Sequence, residues 1–441
     1  SREKSRLPWG VPVPGDKNQA MYVWADALPN YITGVGYFDP TVYGHETFTI
    51  MWIILLAILT FLYHIYSVYG DYKSDYFKYN YQATPGKYWL NLKVVNYEGK
   101  SIVLASRILE SGNEAYTDST IIEGNVTISN GVDSTALFSG FTITGDFTTS
   151  GLNVYSDHNV TIDHVKVLGL GGVIIQSAVA TMRDVTIKDN ETSQQGGGVY
   201  IHNSTVDLVN VVIDSNTNTG NYGGGVYVYS SEVTMDSVQI TNNISDSEGG
   251  GIYTYSNSTL TITNGSIAGN SSPSKGGGIY TGENCILNLT NVHVDGNSSN
   301  YGGGLYNNGF YKASLSTFNS NTVSNSGGGI ASFGGSTDDD ADTLYQCIIS
   351  FNQSNDHGGG IYIDDYQDLY AVNTLISDNV ASYDQNGGEY GGGIAASNEA
   401  NAGYSDFINC TIANNNILGT NNDGGGFYRY EGNYRFTNTI I

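Results

Sequence analysis

The chain is poor in charge: only 13% of its 441 residues are Asp, Glu, Lys or Arg. Bases are scarcest, with 17 Lys and Arg against 42 Asp and Glu and a formal charge of -25. This excludes a nucleic-acid-binding surface as the main business of the chain, because phosphate contacts need clustered cations. Proline is rare too, 7 residues against 57 glycines, so neither a collagen-like nor a Pro-rich chain is present. There are three cysteines, Cys285, Cys347 and Cys410. That odd, sparse count excludes a disulfide framework and a Cys-based zinc site. Their spacings of 62 and 63 residues suggest small buried side chains returning to one position of a repeat. What remains is Asn, Ser, Thr, Gly and 35 Tyr, a mixture suited to strands and tight turns.

Three parts follow one another. Residues 1–46 hold Pro8, Pro12, Pro14, Pro29 and Pro40. Residues 47–70, TFTIMWIILLAILTFLYHIYSVYG, have no Lys, Arg, Asp or Glu. They are long enough to cross a bilayer as a helix, and the harder core from Met51 to Leu62 also suits a secretory leader. Orientation is open, since Lys73 and Lys78 follow closely while Arg2, Lys4, Arg6 and Lys17 stand far ahead. Residues 71–83 read as a spacer, and 84–441 are repetitive.

A Gly-Gly-Gly triplet starts at Gly196, Gly223, Gly249, Gly276, Gly302, Gly327, Gly358, Gly391 and Gly424, at spacings of 25 to 33 residues. An apolar residue follows each, usually then Tyr, as in Val199-Tyr200 and Ile279-Tyr280. An Asn commonly precedes the next triplet by five to seven residues, at Asn190, Asn216, Asn243, Asn270, Asn297, Asn321 and Asn352. Such a period means a solenoid. Period-two alternation, as in Thr259-Leu260-Thr261-Ile262-Thr263, makes its units strands. The expected fold is all-β: a right-handed parallel β-helix of about thirteen coils, each hydrogen-bonded to the next at about 4.8 Å.

The triplets then supply positive φ and close backbone approach at a corner. The Asn series suits a stacked amide ladder. Glycosylation is the alternative, since Asn190, Asn243, Asn270, Asn297 and Asn352 lie in N-x-Ser/Thr sequons. The Tyr after each triplet points outward, as an exposed aromatic ladder or a sugar-binding stripe; packing support alone is the plainer reading. Lys166, Arg183 and Lys188, near Asp157, His158, Asp163, His164 and Asp184, form the one close basic and acidic group; solvated face charges are the plainer reading. The run Asp338-Asp339-Asp340-Ala341-Asp342 reads as an exposed acidic loop without ordered calcium-ligand spacing.

Gly-Gly-Gly-Ile and Phe318-Asn319-Ser320-Asn321 resemble the repeats of chlamydial polymorphic outer-membrane proteins. Residues 99–106, 119–125 and 138–144 resemble opening coils of secreted bacterial β-helix proteins. The resemblance covers 84–441 and implies an extracellular or outer-membrane address, and a stalk, adhesin or carbohydrate-binding surface. Its partners would be a polysaccharide or a cell-surface protein. The same scaffold also carries polysaccharide lyases and hydrolases, so catalysis does not follow from it.

Residues 5–37 differ. Trp9-Gly10-Val11-Pro12-Val13-Pro14-Gly15-Asp16, then Tyr22-Val23-Trp24-Ala25-Asp26-Ala27 and Asn30-Tyr31, closely resemble methionyl-tRNA synthetase. The resemblance implies that Trp24 and Tyr31 derive from a methionine pocket. It stops at Tyr37. The H-I-G-H and K-M-S-K-S motifs that hold ATP in that family are missing, and some forty residues cannot build the pocket. No aminoacylation is expected, and ATP would be a cofactor only if this piece were functional. The reading is a fragment joined to a β-helix that has lost its C-terminal end, with Met51 as a plausible true start.

Overall fold

The computed structural model describes residues 93–94, 103–106, 112–129, 136–145, 151–155, 159–334, 341–364, 367–382, 390–397, 404–418, 424–430 and 432–441. Trp24, Tyr31, the apolar segment 47–70, Asp157 and His158 lie outside them. Among the described residues no helix is long and apolar enough to cross a membrane.

One coil shows the plan. Val199–His202 lies in a first sheet, Thr205–Val209 in a second, Val212–Asp214 in a third, and Thr217–Asn218 forms a short fourth strand before the next triplet. Every strand pairs in parallel with the equivalent strands of neighbouring coils, so sheets one and two each stack thirteen strands and sheet three stacks twelve. The described residues form a right-handed parallel β-helix.

Alternation explains the core. Val206 and Leu208 are buried while Thr205, Asp207 and Val209 face out, and the next coils repeat this with Val233 and Met235, then Leu260 and Ile262. Each coil contributes only a few apolar side chains, and stacking removes them from water.

The bends need backbone in the left-handed region. At the corner between sheets two and three it falls to His164, Asp184, Asn210, Ser237, Asn264, Asn291, Asn373 and Asn409, with φ of 51–56°. Asn and Asp tolerate this conformation best among residues with a Cβ; Leu315 and Gln346 also take it at this corner.

The triplets stack on one another: Gly224 N–H donates to Gly249 O at 3.0 Å, and Gly250 N–H to Gly276 O at 2.9 Å. The first glycine of each takes φ of 60–75°. The later two are needed for close approach. A Cβ on Gly277 would sit 2.5 Å from the Ser298 carbonyl oxygen and 2.6 Å from that of Gly303.

Three expectations need correction. Cys347 and Cys410 do share a corner column, two coils apart with Thr374 between, but Cys285 lies at the corner between sheets one and two. Equal spacing in sequence hid unequal coil lengths. Asp342 is not in an exposed acidic loop: it opens the strand Asp342–Tyr345 facing inward, fully buried. The rest of that run, Asp338 to Asp340, lies outside the described residues. The third correction concerns the tyrosines and follows below. A short helix, Ala115–Ser119, also interrupts an early coil where strands alone were expected.

Candidate functional site

The Asn series lies at the corner after sheet three, always one residue beyond the left-handed position. Asn190, Asn216, Asn243, Asn270, Asn297, Asn321 and Asn352 are 0–1% exposed. Each donates Nδ2–H to the Oδ1 of the next at 2.8–3.0 Å, from Asn190→Asn216 through Asn321→Asn352. The same Nδ2 reaches a carbonyl of the preceding coil, as Asn243 does to Ile213 O at 2.9 Å. Each Oδ1 also accepts the backbone N–H of the preceding Asn, as Asn270 Oδ1 does from Asn243 at 2.9 Å. Two further members, Asn379 and Asn415, continue the chain at 2.9 Å per link. They escaped the triplet-based spacing because the following loops are longer. A signal was available: each ladder Asn stands three residues after a buried apolar residue of sheet three, from Ile187-x-x-Asn190 to Ile412-x-x-Asn415. The folded chain has no room for a glycan on these side chains.

Hydroxyls do similar work at other corners. Ser204 Oγ accepts the Ala178 N–H at 3.1 Å and donates to His202 O at 2.8 Å, and Ser231 repeats the pattern. Cys347 occupies such a place, its Sγ 3.4 Å from Ala313 O, and burial pushes its thiol up to about 11, away from nucleophilic use.

The tyrosines after the triplets lie on the outer face of sheet one, yet Tyr227, Tyr253, Tyr280 and Tyr306 are only 5–7% exposed. They cover one another. Centroids from Tyr200 to Tyr306 are 4.6–5.5 Å apart, with interplanar angles of 5–17°. Tyr222 stacks on Tyr253 at 4.7 Å, and Lys275, paired to Glu248 at 3.8 Å, lies 5.0 Å from the Tyr306 ring centroid. Burial raises the pKa of each phenol in this column. Their ring faces are spent on each other, so this inner row cannot stack on sugar.

A second row on the same face is more open. His202 and Tyr229 are half-buried and Tyr255 is 43% exposed. Beside it, at the corner between sheets one and two, runs an open groove of about 510 Å³ lined by Ser177, Asn203, Thr205, Ser230 and Glu232 among others. Ser230 donates to Ser256 Oγ at 3.1 Å. Ser177, Asn203 and Thr205 present exposed hydroxyl and amide groups to solvent. Nothing in the sequence patterns used above singles out this groove; it exists because left-handed Ser177, Asn203 and Ser230 bend the chain at equivalent places.

The sequence-flagged polar group is partly assembled. Asp163, His164 and Asp184 place one ligand atom each within 4.8 Å of one another. His164 Nδ1 is 2.8 Å from Asp163 Oδ2 and its Nε2 is 3.9 Å from Asp184 Oδ2. Asp163 also accepts from Ser139 Oγ at 3.0 Å, and Asp184 accepts from Asn210. Lys166 is not part of this set: its ammonium pairs with Asp118 of the short helix. Arg183 is exposed, its Cα in register with Asp163. His164 and Asp184 both hold left-handed corner positions, so the backbone alone gives a reason for their residue types.

The buried carboxylate of Asp342 is a different case. It accepts Tyr311 N–H at 3.0 Å and Asn307 Nδ2–H at 3.1 and 3.2 Å, and the Ser332 hydroxyl. Burial pushes its pKa up to about 7, against the downward pull of these donors and of Gln367.

Residues 171–342 match the family model described as "Right handed beta helix region", and residues 3–62 match that of "tRNA synthetases class I (M)". The mitochondrial methionine–tRNA ligase of Takifugu rubripes is 68% identical over 37 residues, 8% of this chain and 6% of that protein. That of Mus musculus is 64% identical over 39 residues, 9% of this chain and 7% of the relative. The methionine–tRNA ligase of Brucella suis is 56% identical over 41 residues, 9% of this chain and 8% of the relative. The chain thus spans under a tenth of the length of these relatives. Among solved structures, a periplasmic alginate epimerase aligns with a TM-score of 0.43 and 11% identity, over 78% of this chain and 80% of that one.

Proposed function

We propose that residues 84–441 form an exported, cell-surface β-helix that acts as a stalk with a carbohydrate-binding face. The observation that carries the binding is the pairing of the half-open His202, Tyr229 and Tyr255 row with a groove of exposed hydroxyl and amide groups. Sugars offer C–H faces and hydroxyls together, and such a strip answers both. Export is supported by the apolar residues 47–70 and the acidic, Asn- and Ser-rich composition. The synthetase-like residues 1–40 take no part in this reading, and aminoacylation is not assigned to them. A cell-surface protein is the other partner this address suits.

The binding is tested by affinity electrophoresis of the full chain through gels holding soluble polysaccharides. At least one should retard it, and Asn203→Gly, which keeps the left-handed turn but loses the amide, should weaken retardation about tenfold. Migration unaffected by every polysaccharide would overturn the reading.

A second reading, polysaccharide cleavage, draws on the convergence of Asp163, His164 and Asp184. Release of new reducing or unsaturated ends, abolished by Asp163→Asn, would establish it. Binding without release supports the stalk.

A further inference from the structure

We infer that the ligand of the groove is an uncharged, linear glycan lying along the solenoid axis, about one sugar per coil. The inference rests on the carbohydrate reading and specifies its chemistry.

The direction follows from register. Gln176, His202 and Tyr229 are mutual Cα partners on successive coils, and the groove residues Ser177, Asn203 and Ser230 directly follow them. Val179, Thr205 and Glu232 are likewise in register across the same three coils. The groove is therefore two columns parallel to the axis, with equivalent groups recurring every ~4.8 Å. That rise is close to the length of one hexose in an extended chain. A linear glycan laid along the columns meets a hydrogen-bonding side chain at each sugar.

The absence of charge on the ligand follows from the electrostatics. The groove is lined by hydroxyls, one amide and one carboxylate, that of Glu232. A polyuronate carries a carboxylate on every sugar, and recognising those requires Arg or Lys at matching intervals. No Lys or Arg is among the groove's lining residues, and four of the described cations are paired with acids away from it: Lys188 with Asp214 at 2.8 Å, Lys275 with Glu248, Lys166 with Asp118 and Arg435 with Asp406. A polyanion would also meet the field of a chain whose formal charge is -25. A polycation gains little in the groove itself, where a single carboxylate faces it. Neutral sugar hydroxyls match what the side chains offer.

The test is titration calorimetry of the full chain against three ligand sets: neutral oligosaccharides of one to six sugars (gluco- and N-acetylglucosamine series), oligogalacturonates of the same lengths with and without calcium, and oligoglucosamines at low and high salt. One neutral series should bind, with Kd falling about tenfold or more from one to three sugars and then levelling off. Glu232→Lys should create measurable oligogalacturonate binding. Tighter binding of oligogalacturonate than of every neutral series, with or without calcium, overturns the uncharged class but leaves the carbohydrate reading standing. Salt-resistant preference for oligoglucosamine does the same. A Kd independent of length overturns the axial arrangement. Binding of none of the three sets by a chain that polysaccharide gels still retard overturns this inference alone; no binding and no retardation overturns the reading beneath it as well.

Discussion

The coils between Gly196 and Gly327 and those after Gly327 are built to the same plan but keep different parts of it. In the first group the triplets start 25 to 27 residues apart, and later spacings are 31 and 33. The Tyr column runs unbroken from Tyr200 to Tyr306, then meets Ala331 and Ala395 at the equivalent places. Phe333 partly fills the gap, 4.9 Å from Tyr306. The later coils also admit a buried carboxylate, Asp342, into an inner column that holds Leu287 and Leu369 nearby. The Asn ladder crosses this boundary unchanged, with Asn321→Asn352 at 3.0 Å and Asn352→Asn379 at 2.9 Å. Extra length goes into the connection between sheets one and two, as between Ser332 and Asp342, or into the one beyond the ladder, as between Asn379 and Gly391, where it costs little entropy. The amide ladder tolerates no such freedom, because each side chain satisfies a buried N–H and a buried carbonyl of the preceding coil and donates to the amide oxygen of the next, as Asn243 does with Asn216, Ile213 and Asn270.

The largest expected effect separates the two groups by pH. Asp342 titrates near 7 when folded, against an ordinary value of 3.8. Between these the folded chain holds a proton the unfolded chain has lost, so stability falls as pH rises. On linkage the loss is on the order of 4 kcal/mol, complete above the folded pKa. Buried Tyr311 and Cys347, whose own pKa values burial raises, stay neutral throughout this window. Urea titrations from pH 4 to 8 should show the later coils weakening first, and Asp342→Asn should flatten the profile. Asp214 acts in the opposite sense at lower pH: burial raises it, but hydrogen bonds from Lys188, Asn242 and Thr241 and the Lys188 charge outweigh this and hold it at about 2. Its contribution is lost only as pH falls below the ordinary range.

Next, Gly277→Ala sets a side chain against two carbonyls of adjacent backbone and should cost about 3 kcal/mol. Melting within a degree of the parent would contradict the close-approach explanation of the triplets. Asn243→Ala should cost about 1–3 kcal/mol, and Asn352→Ala in the later coils about the same, because the ladder is alike in both groups. Tyr253→Ala should cost more than Tyr362→Ala, since Tyr253 is stacked on both Tyr227 and Tyr280. The smallest effect is His164→Asn, expected within about 0.5 kcal/mol because Asn suits the left-handed corner.

Much of this was legible because a repeat multiplies weak signals. Nine triplets specify a solenoid where one specifies a turn. The ladder was legible through Asn352, then lost at Asn379 and Asn415, because distance to the next triplet measures a variable loop while distance from the strand is constant. The tyrosines were placed on the correct face and their packing role was the plainer reading, but the exposed ladder was not: alternation gives direction, and only the pairing of coils shows that neighbours cover them. Asp342 was misread because a run of Asp looks solvated, while its hydrogen-bond donors stand elsewhere in sequence: Ser332 on the sheet-one strand of its own coil, and Asn307 and the Tyr311 N–H on the coil before. The groove was illegible for the same reason, being made of equivalent residues far apart in sequence.

Hydrogen exchange in Asn352→Ala probes the ladder most directly. The Asn321 N–H donates to Asn352 Oδ1 and the Asn352 N–H to Asn379 Oδ1, each at 3.0 Å. The substitution should speed exchange at Asn321 and nearby amides of that corner on the preceding coil, while the Asn352 N–H, still bonded to Asn379, and the amides around Asn243 keep their protection. Unchanged exchange at Asn321 would contradict the claim that the amide ladder holds successive coils in register.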